Sequence, residues 1–459
     1  MADTKQRAGV EELLAREEAF LAVERRNPVS PYFAGGLAPR AGRRRFMLGS
    51  MAALGAATAF APNRSRGAEG ASPPQHEAPP DASKVQGYPL EDASYGSRSQ
   101  FEKEMRARFK TATPQSSWTM TPLESGMGII TPSGLHFERS HAGTAVIDPA
   151  KHSLYVHGMV KGAKKFSMRD VKRFPSVSRI HFIECSGNGL TEWTKPTMKT
   201  VQMTHGLTST SEWTGVPLST ILAECGGVRG GAKWLLVEGG DGAAMTRSIP
   251  LAKAMKDCML AYGQNGEAIR PEQGYPLRLL VPGYEGNTHI KWVRRIEVAD
   301  VPFMTREETS KYTDIRPDGK AVQFSFEMEA KSVITSPSGE MMLEGPGFYE
   351  ITGLAWSGRG AVKRVDVSTD GGRTWRQAAL QGPVLPICHA RFRMPWQWDG
   401  REAILQSRCV DETGYVQPTL GQLVALRGTN GPLGSIYHLN AIQSWLVADD
   451  GKVSNVHHY

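Results

Sequence analysis

The chain has 459 residues, of which 40% are hydrophobic and 22% are charged. This length and composition predict roughly two or three domains with sizeable cores and exclude a globally disordered chain. The formal net charge is +8, but residues 1–68 hold 11 Lys/Arg against 6 Asp/Glu, so the remainder is nearly neutral. The charge therefore gives no support for nucleic acid or a membrane surface as a partner.

The cysteines form no metal or redox motif by spacing. They lie at positions 185, 225, 258, 388 and 409, and no pair has CxxC spacing, which argues against a zinc ribbon or a thioredoxin-type site. The sequence has no CxxCH, so it attaches no c-type haem of its own. It also lacks the GxGxxG of dinucleotide-binding domains and the His-Pro-Gly-Gly of cytochrome b5-type domains.

Residues 42–68 have the pattern of an export signal. Arg43-Arg44-Arg45-Phe46-Met47-Leu48 opens a weakly apolar run, rich in Ala and Gly, that ends at Ala61. This run of 16 residues is shorter than the ~20 that a spanning helix needs. The segment resembles a twin-arginine signal, with a basic surface helix as the alternative. Because that route exports folded proteins, the signal predicts a periplasmic protein and favours a bound cofactor.

The segments on either side of this signal carry no predicted chemistry. Residues 1–41 are an amino-terminal extension with helical composition around Glu11–Arg26. Residues 69–110 are rich in Pro, Ala and Ser and are predicted to form a linker or arm. Within this arm, Phe101–Lys110 has the composition of a helix.

Residues 111–325 show short strands alternating with short helices, which predicts a mixed α/β domain that ends in a polar connection. The strand-like runs are Ser153–Val160, Arg179–Glu184, Trp234–Glu238, Leu277–Val281 and Arg294–Val298. The helix-like runs are Met168–Arg173, Leu218–Glu224 and Leu251–Lys256. Glycines are frequent in the intervening loops, where they allow the backbone to approach a ligand closely.

Residues 326–459 have the pattern of an all-β domain. Residues 348–356 and 361–369 alternate between polar and apolar side chains, and Asp370-Gly371-Gly372 predicts a hairpin turn. Ala403–Val410 and Val424–Leu426 are predicted to be further strands. Short strands with frequent turns favour an immunoglobulin-like sandwich, so the predicted fold class of the whole chain is α+β.

Cys185 lies at a predicted strand end, in His181-Phe182-Ile183-Glu184-Cys185-Ser186-Gly187-Asn188-Gly189. Three interpretations of this segment remain open on local pattern alone. The cysteine could be a buried structural residue, a nucleophile, or a soft ligand to a transition metal.

Several segments, in order along the chain, resemble the motifs of the sulfite oxidase family of molybdenum enzymes. They are Phe137-Glu138-Arg139-Ser140-His141, Cys185-Ser186-Gly187-Asn188, Trp213-Thr214-Gly215, Glu238-Gly239-Gly240-Asp241, Gly274-Tyr275-Pro276-Leu277-Arg278, His289-Ile290-Lys291-Trp292, Ala355-Trp356-Ser357-Gly358 and Leu426-Arg427-Gly428. Each motif is weak alone, but the ordered set is specific. The resemblance implies a molybdopterin-binding catalytic domain at 111–325 and an immunoglobulin-like dimerisation domain at 326–459.

The resemblance also implies a molybdenum–molybdopterin cofactor, with Cys185 as the protein ligand to the metal. A thiolate suits this soft site. The residues implied around the pterin are Phe137, Arg139, His141, Asp241, Gln273, Arg278, His289, Ile290 and Lys291. Arg278 and Lys291 are the candidate partners of its phosphate. The implied catalytic residues are Arg139 and Arg427, which would bind the substrate anion, and Tyr312, which would hydrogen-bond the substrate or support proton-coupled electron transfer.

The departures from the family pattern bear on the substrate. Leu190 stands where sulfite oxidases usually carry an arginine, Met203-Thr204-His205-Gly206 stands where they carry a tryptophan, and Gln273 replaces a histidine. Losing a charge-assisted contact costs ~1.5–3 kcal/mol of anion binding, so free sulfite should bind less well. Together these features resemble the molybdenum subunits of Sox-system sulfane dehydrogenases, which oxidise sulfur held on a carrier protein during thiosulfate oxidation.

The resemblance implies a homodimer within a larger complex, with a cytochrome c subunit as electron acceptor and a sulfur-carrier protein as substrate. Three alternatives remain: a stand-alone sulfite dehydrogenase that acts on free sulfite, a cofactor-free binding protein on the same scaffold, and a related reductase of methionine sulfoxide. The sandwich domain disfavours the last of these.

Overall fold

The structure is a computed structural model, and it describes residues 86–87, 95–111, 113–310, 312–428 and 438–458. The export signal and the amino-terminal extension lie outside these ranges. From Glu104 onward the described residues form one compact unit. Those before Glu104 belong to a second unit, in which residues 95–103 contain neither helix nor strand.

The first part of the compact unit mixes short strands with short helices. Its strands are β1 (Ala107–Phe109), β2 (Trp118–Met120), β3 (Glu138–Arg139), β4 (Ser153–Gly158), β5 (Lys164–Ser167), β6 (Val177–Glu184), β7 (Thr208–Pro217), β8 (Trp234–Gly239), β9 (Thr246–Pro250), β10 (Met259–Gln264), β11 (Glu267–Ala268), β12 (Arg278–Leu280), β13 (Val293–Ala299), β14 (Asp314–Ile315) and β15 (Ala321–Val322). Its helices are α1 (Met168–Arg173), α2 (Val201–His205), α3 (Leu218–Glu224), α4 (Leu251–Lys256) and α5 (Arg306–Ser310).

Two five-stranded sheets organise this part. One has the order β5-β4-β13-β8-β9, in which only the β13–β4 pairing is parallel. The other has the order β11-β10-β7-β6, with β12 also paired to β10. A single hydrophobic cluster joins both sheets to α1, α3 and α4, so the short helices are held by packing rather than by their own length. Strand ends and loops of both sheets are thereby fixed relative to one another.

The second part is a two-sheet β-sandwich, as predicted. Its strands are β16 (Lys331–Ser336), β17 (Gly347–Trp356), β18 (Val362–Ser368), β19 (Arg376–Gln377), β20 (Ala379–Gln381), β21 (Ala390–Trp398), β22 (Ala403–Asp411), β23 (Ser444–Val447) and β24 (Val453–Val456), with one helix, α6 (Leu420–Arg427). The sheet orders are β16-β17-β21-β20 and β19-β18-β22-β23-β24. Side chains that alternate inward, among them Trp356, Phe392 and Trp445, fill the core between the sheets.

Two local predictions are wrong. Val424–Leu426 belongs to α6 rather than to a strand, because Thr419 and Gln422 form a capping box that starts a helix after Pro418. Phe101–Lys110 contains strand β1 instead of a helix, since β1 pairs with β2 and stacks Phe109 on Trp118 at a ring distance of 4.4 Å. In both places the sequence pattern was short, so neighbours decided the outcome. Within the described ranges, no helix is long and apolar enough to cross a membrane.

Candidate active site

One cavity in the first part gathers nearly all of the residues that the sequence singled out. It holds about 680 Å³ of non-protein space, part of which is open to solvent. Its walls come mainly from loops and strand ends of both sheets. Of the predicted site residues, the lining includes Phe137, Arg139, His141, Cys185, Asp241, Gln273, Arg278, His289, Ile290, Lys291 and Tyr312.

Cys185 lies directly after β6, in a tight turn at the cavity wall. Its backbone N–H donates to the carbonyl of Leu207 (2.9 Å), and its own carbonyl accepts from the N–H of Asn188 (2.9 Å). Gly286 packs against this turn so closely that a Cβ there would lie 3.1 Å from the Cα of Cys185. Burial raises the pKa of the Cys185 thiol, which a backbone hydrogen bond from Gly187 and the charge of Arg139 oppose.

Among the described residues, Cys185 is not part of a cluster of protein metal ligands. In the ranges that the structure describes, no group of three or more His, Cys, Asp and Glu side chains could hold a metal ion. A metal bound to the Cys185 sulfur would therefore take most of its ligands from a non-protein group. A pterin dithiolene meets that requirement, because its two sulfurs are soft ligands like the thiolate.

The cavity favours an anionic ligand. Arg139, Arg278 and Lys291 line it, whereas Asp241 is the one acidic side chain among its described lining residues. Burial lowers the pKa of Arg278 to about 9 and that of Lys291 to about 7. These cations occupy positions that disfavour charge, and an anion in the cavity would stabilise both. The phosphate of a pterin cofactor fits this arrangement.

Arg278 is held in place by acceptors that leave part of its guanidinium available. Its Nη1 donates to the carbonyl of Gln273 (3.0 Å) and to Gln273 Oε1 (3.3 Å), and its Nη2 donates to the carbonyl of His289 (3.3 Å). The Gln273 amide in turn donates to the carbonyl of Phe137 (2.8 Å). The Nε of Arg278 is buried and has no hydrogen-bond partner among the described residues. Gln273 therefore orients the arginine.

Lys291 connects two walls of the cavity through neutral acceptors. Its ammonium donates to the carbonyls of Arg139 (3.1 Å) and Glu272 (2.9 Å) and to Ser140 Oγ (2.8 Å). It also lies 4.5 Å from the ring centroid of Trp292. Because none of these contacts is a carboxylate, the positive charge stays uncompensated by its hydrogen bonds and acts on the cavity.

Besides Arg278 Nε, three buried polar atoms in the lining have no hydrogen-bond partner within the described ranges. They are His136 Nε2, Asp241 Oδ1 and Asn287 Oδ1. Buried polar atoms are nearly always paired, so these atoms are available to contact a group bound in the cavity. Their number and spread fit a group with many hydrogen-bonding edges, such as a pterin.

His289 lines the cavity, but its ring is already engaged. Its Nδ1 accepts from the N–H of Val281 (3.2 Å), and its Nε2 is 3.2 Å from the carbonyl of Tyr284, to which it donates. Burial lowers the pKa of His289 well below its usual value, in keeping with a neutral ring. A contact from His289 to a ligand would therefore come from its backbone or from the edge of its ring.

Tyr312 reaches the same cavity from the end of α5. Its backbone N–H donates to the carbonyl of Glu307 (2.8 Å), and its hydroxyl lies 3.3 Å from His141 Nε2. Arg139 approaches from β3, where its guanidinium donates to the carbonyls of Ser116 (3.0 Å) and Ser140 and lies over the ring of Trp118. The structure thus places both a phenol and a guanidinium at the cavity that Cys185 faces.

Comparisons with known proteins agree with this geometry. The model of the oxidoreductase molybdopterin binding domain matches residues 141–307, and that of the Mo-co oxidoreductase dimerisation domain matches residues 322–444. The crystal structure of the sulfane dehydrogenase SoxCD from Paracoccus pantotrophus is similar at a TM-score of 0.78 and 45% identity, covering 82% of this chain and 99% of that one. The chain belongs to the sulfite oxidase family of molybdenum enzymes. The predicted α+β fold and the predicted molybdenum–molybdopterin cofactor are thereby confirmed.

Two curated relatives have lower identity to this chain. Mitochondrial sulfite oxidase of Mus musculus is 32% identical over 346 residues, which cover 69% of this chain and 62% of the relative. An NADH nitrate reductase of Brassica napus is 33% identical over 313 residues, which cover 59% of this chain and 33% of the relative. The chain therefore spans less than two thirds of the length of either enzyme.

The resemblance to the sulfite oxidase family also implied a role for Arg427, which the structure does not bring into the described lining of the cavity. Arg427 lies at the end of α6, where its Nη2 is 2.6 Å from Glu329 Oε2 and its Nη1 donates to the carbonyl of His438 (2.8 Å). Glu329 also pairs with His438 at 2.7 Å. The guanidinium of Arg427 is thus engaged by a carboxylate that Arg359 also approaches at 3.6 Å.

Leu190, which replaces an arginine usual in sulfite oxidases, packs instead of lining the cavity. It lies against an apolar cluster that includes Trp193, Leu423 and Leu439. His205, in the segment that replaces a tryptophan, is buried and bonds to Thr204 Oγ1 (2.8 Å). At neither place does the structure put a cation or an indole at the cavity.

Seven lining residues were not predicted as site residues from the sequence: His136, Ser140, Ile183, Met245, Gly286, Asn287 and Trp292. His136 and Ser140 adjoin or lie inside a recognised motif, so adjacency was a usable signal. Met245 and Asn287 lie in loops of no distinctive sequence. Only the folded backbone brings them to the cavity.

Proposed function

We propose that this molybdenum oxidoreductase oxidises sulfane sulfur bound to a carrier protein, as a step of thiosulfate oxidation in the periplasm. The observation that carries the proposal is the 45% identity with the sulfane dehydrogenase SoxCD over 99% of that chain. The apolar packing of Leu190 supports it, because a site without this arginine relies less on binding a free anion. A protein-bound substrate supplies binding energy from contacts outside the cavity.

The residues of the cavity divide into those that hold the cofactor and those that meet the substrate. Cys185 would bind the metal through its thiolate, and Arg278 and Lys291 would bind the phosphate. When bound, the molybdenum centre supplies oxygen-atom transfer and accepts two electrons. Tyr312 and Arg139 would donate hydrogen bonds to the oxygen atoms that accumulate on the substrate sulfur.

The chain would pass its electrons to a cytochrome c subunit. Each oxygen atom added to the substrate sulfur comes from water and releases two protons and two electrons, so an external acceptor is required. The sequence has no haem-attachment motif of its own. The matched dimerisation domain supports a homodimer, and the SoxCD similarity supports a larger complex with a partner.

A stand-alone sulfite dehydrogenase is the second candidate. It is favoured by the 32% identity with the mouse sulfite oxidase and by the cationic lining of the cavity. For this function, free sulfite would bind directly among Arg139 and its neighbours without a carrier protein.

Steady-state kinetics with two substrates test the proposal. The purified molybdenum-loaded protein is assayed with cytochrome c as acceptor, first with free sulfite and then with a persulfide formed on the cysteine of a small carrier protein. Oxidation of the persulfide with a kcat/KM at least tenfold above that of sulfite is the expected result. Efficient turnover of sulfite at low micromolar concentration, with none of the persulfide, would establish the second candidate instead.

Export is tested separately. The Arg43–Leu48 segment supports twin-arginine export, and it lies outside the described residues. Replacing Arg43 and Arg44 by Lys should retain the protein in the cytoplasm, whereas the unchanged chain should be recovered in the periplasmic fraction. Periplasmic recovery of the Lys variant would contradict this route.

A further inference from the structure

Arg247 is a buried arginine that no sequence motif singled out. It lies in β9, its side chain is completely buried, and none of its three guanidinium nitrogens has a hydrogen-bond partner among the described residues. A buried charge is costly unless it is paired and hydrogen-bonded. An arginine kept in this state therefore indicates a role beyond packing.

The guanidinium of Arg247 lies beneath the ring of Tyr312. Its central carbon is 5.3 Å from the ring centroid, which is within the range of a cation–π interaction. The nearest carboxylate is that of Glu308, whose Oε1 is 3.6 Å from Arg247 Nε, too long for a hydrogen bond. The arginine thus interacts with the tyrosine without being neutralised by a close bidentate pair.

The strand that carries Arg247 also holds the segment that carries Tyr312. Ser248 Oγ donates to Glu308 Oε2 (2.9 Å), and Thr246 Oγ1 donates to Glu307 Oε2 (3.3 Å). The carbonyl of Glu307 accepts from the N–H of Tyr312 (2.8 Å). Strand β9 therefore fixes α5, and through it the backbone of Tyr312.

An electrostatic link leads from Arg247 toward the turn of Cys185. The charge of Arg247 counters the burial that raises the pKa of Glu285. Glu285 Oε2 accepts from Asn287 Nδ2 (2.6 Å), and the same amide donates to Ser186 Oγ (3.0 Å), next to Cys185. The charge of Arg247 thus acts both on Tyr312 and on the carboxylate that holds Asn287 near Cys185.

We propose that Arg247 is a positioning residue, which holds Tyr312 at the cavity and strengthens the hydrogen bond from its hydroxyl to the oxyanion that forms on the substrate sulfur. A cation against the ring withdraws electron density from the phenol and makes the hydroxyl a better donor. Strand β9 would thereby supply a positive charge that position 190 does not. The inference rests on the proposed function only in that the substrate carries sulfur-bound oxygen atoms.

The test is a double-mutant cycle between Arg247→Met and Tyr312→Phe in the molybdenum-loaded protein. The dissociation constant of sulfate, an oxyanion that would accept hydrogen bonds from the same donors, is measured by thermal shift. KM and kcat are measured with sulfite as substrate and cytochrome c as acceptor. Arg247→Met should weaken sulfate binding and raise KM about tenfold, with a smaller change in kcat. In the Tyr312→Phe background the same substitution should have less than a twofold effect, because the hydroxyl is absent.

Three controls separate this role from a structural one. Arg247→Lys keeps the charge and should restore most of the sulfate affinity. Arg376→Met removes an exposed arginine of the sandwich domain and should change neither measurement. If Arg247→Met does not fold, Arg247→Met with Glu308→Gln removes the buried pair together and takes its place in the cycle.

Equal effects of Arg247→Met with and without the Tyr312 hydroxyl would overturn the inference. The sulfate measurement needs no turnover, so it also distinguishes two failures. If no sulfur substrate is oxidised but the cycle is non-additive for sulfate, the proposed function fails and the role of Arg247 stands.

Discussion

Lys331 and Glu184 form a completely buried ion pair, with Lys331 Nζ 2.9 Å from Glu184 Oε1. Glu184 ends β6 directly before Cys185, whereas Lys331 begins the first strand of the sandwich. Asn188 Nδ2 donates to the same carboxylate oxygen (2.9 Å), and Trp356 Nε1 donates to the other (2.7 Å). The sandwich therefore supports the turn that carries the candidate metal ligand.

Breaking this pair should destabilise the protein strongly. Lys331→Met leaves the Glu184 carboxylate buried without a counter-charge, which costs ~3–5 kcal/mol of unfolding free energy. Adding Glu184→Gln should recover part of the loss, since it removes the buried charge and its one amide oxygen can still accept from either Asn188 or Trp356. Urea denaturation of both variants measures the effect. If Lys331→Met is as stable as the unchanged protein, the ion pair contributes nothing to stability.

Cys185→Ser should abolish sulfur oxidation and leave the fold intact. The side chain contributes one sulfur at a cavity wall, whereas the turn around it is held by backbone hydrogen bonds. Molybdenum analysis, turnover and thermal unfolding are measured together. Cys225→Ser is the matched control, because that cysteine is buried at the end of α3 and does not line the cavity. Retained turnover in Cys185→Ser would refute its role as metal ligand.

Lys291 gives the cofactor-free protein a pH-dependent stability. Burial is the main cause that lowers its pKa from 10.5 to about 7 in the folded state. Between these two values the unfolded chain binds a proton that the folded one lacks, so stability rises with pH, by at most ~1.4 kcal/mol per pH unit. Below pH 7 both states are protonated and this contribution to the slope vanishes.

Urea denaturation at pH 7, 8 and 9 measures this dependence in protein made by a host that cannot synthesise molybdopterin. The unfolding free energy of Lys291→Met should depend less on pH than that of the unchanged chain. Lys151→Met, at a highly exposed lysine, should show the same pH dependence as the unchanged chain. The loaded protein should also lose the slope, because a bound phosphate stabilises the Lys291 cation. Identical slopes for the Lys291 and Lys151 variants would contradict the assignment.

The sequence predicted elements best where the chain carries a strong local signal. Helices Met168–Arg173, Leu218–Glu224 and Leu251–Lys256 have the predicted bounds. Each is short, but each begins directly after a strand at a residue that marks a helix start, namely the capping Ser167, Pro217 or Pro250. The prediction failed at β1 and α6, where pairing with β2 and a capping box outweighed a short pattern.

The residues of the site were likewise predictable where a local motif names them and not where distant contacts decide their role. The family resemblance named eleven of the residues that line the cavity, and nine of them lie inside its ordered motifs. They could not show that Arg427 is paired with Glu329, or that Arg247 lies under Tyr312, since both facts depend on contacts between residues distant in sequence. Charge balance at a single arginine is a property of the fold and cannot be read from its motif.

Substitution of Arg427 therefore tests whether its role is the one implied by the family motif or the one indicated by its ion pair. The family resemblance implies that it binds the substrate anion, but its guanidinium already pairs with Glu329 at 2.6 Å and bonds to the carbonyl of His438. We expect Arg427→Ala to lower the unfolding free energy by ~1–3 kcal/mol, because it leaves a partly buried carboxylate with weaker compensation. The KM for sulfite should change less than threefold, because the guanidinium is already engaged by Glu329 and does not line the cavity.

Glu329→Gln is the matched variant, since it removes the same pair from the other side and frees the Arg427 charge. It should also lower stability, and it should change the KM for sulfite less than threefold, because neither partner of the pair lines the cavity. Thermal unfolding and sulfite kinetics on both variants decide the matter. A tenfold rise in KM for Arg427→Ala at unchanged stability would show that the motif, rather than the ion pair, describes what this arginine does.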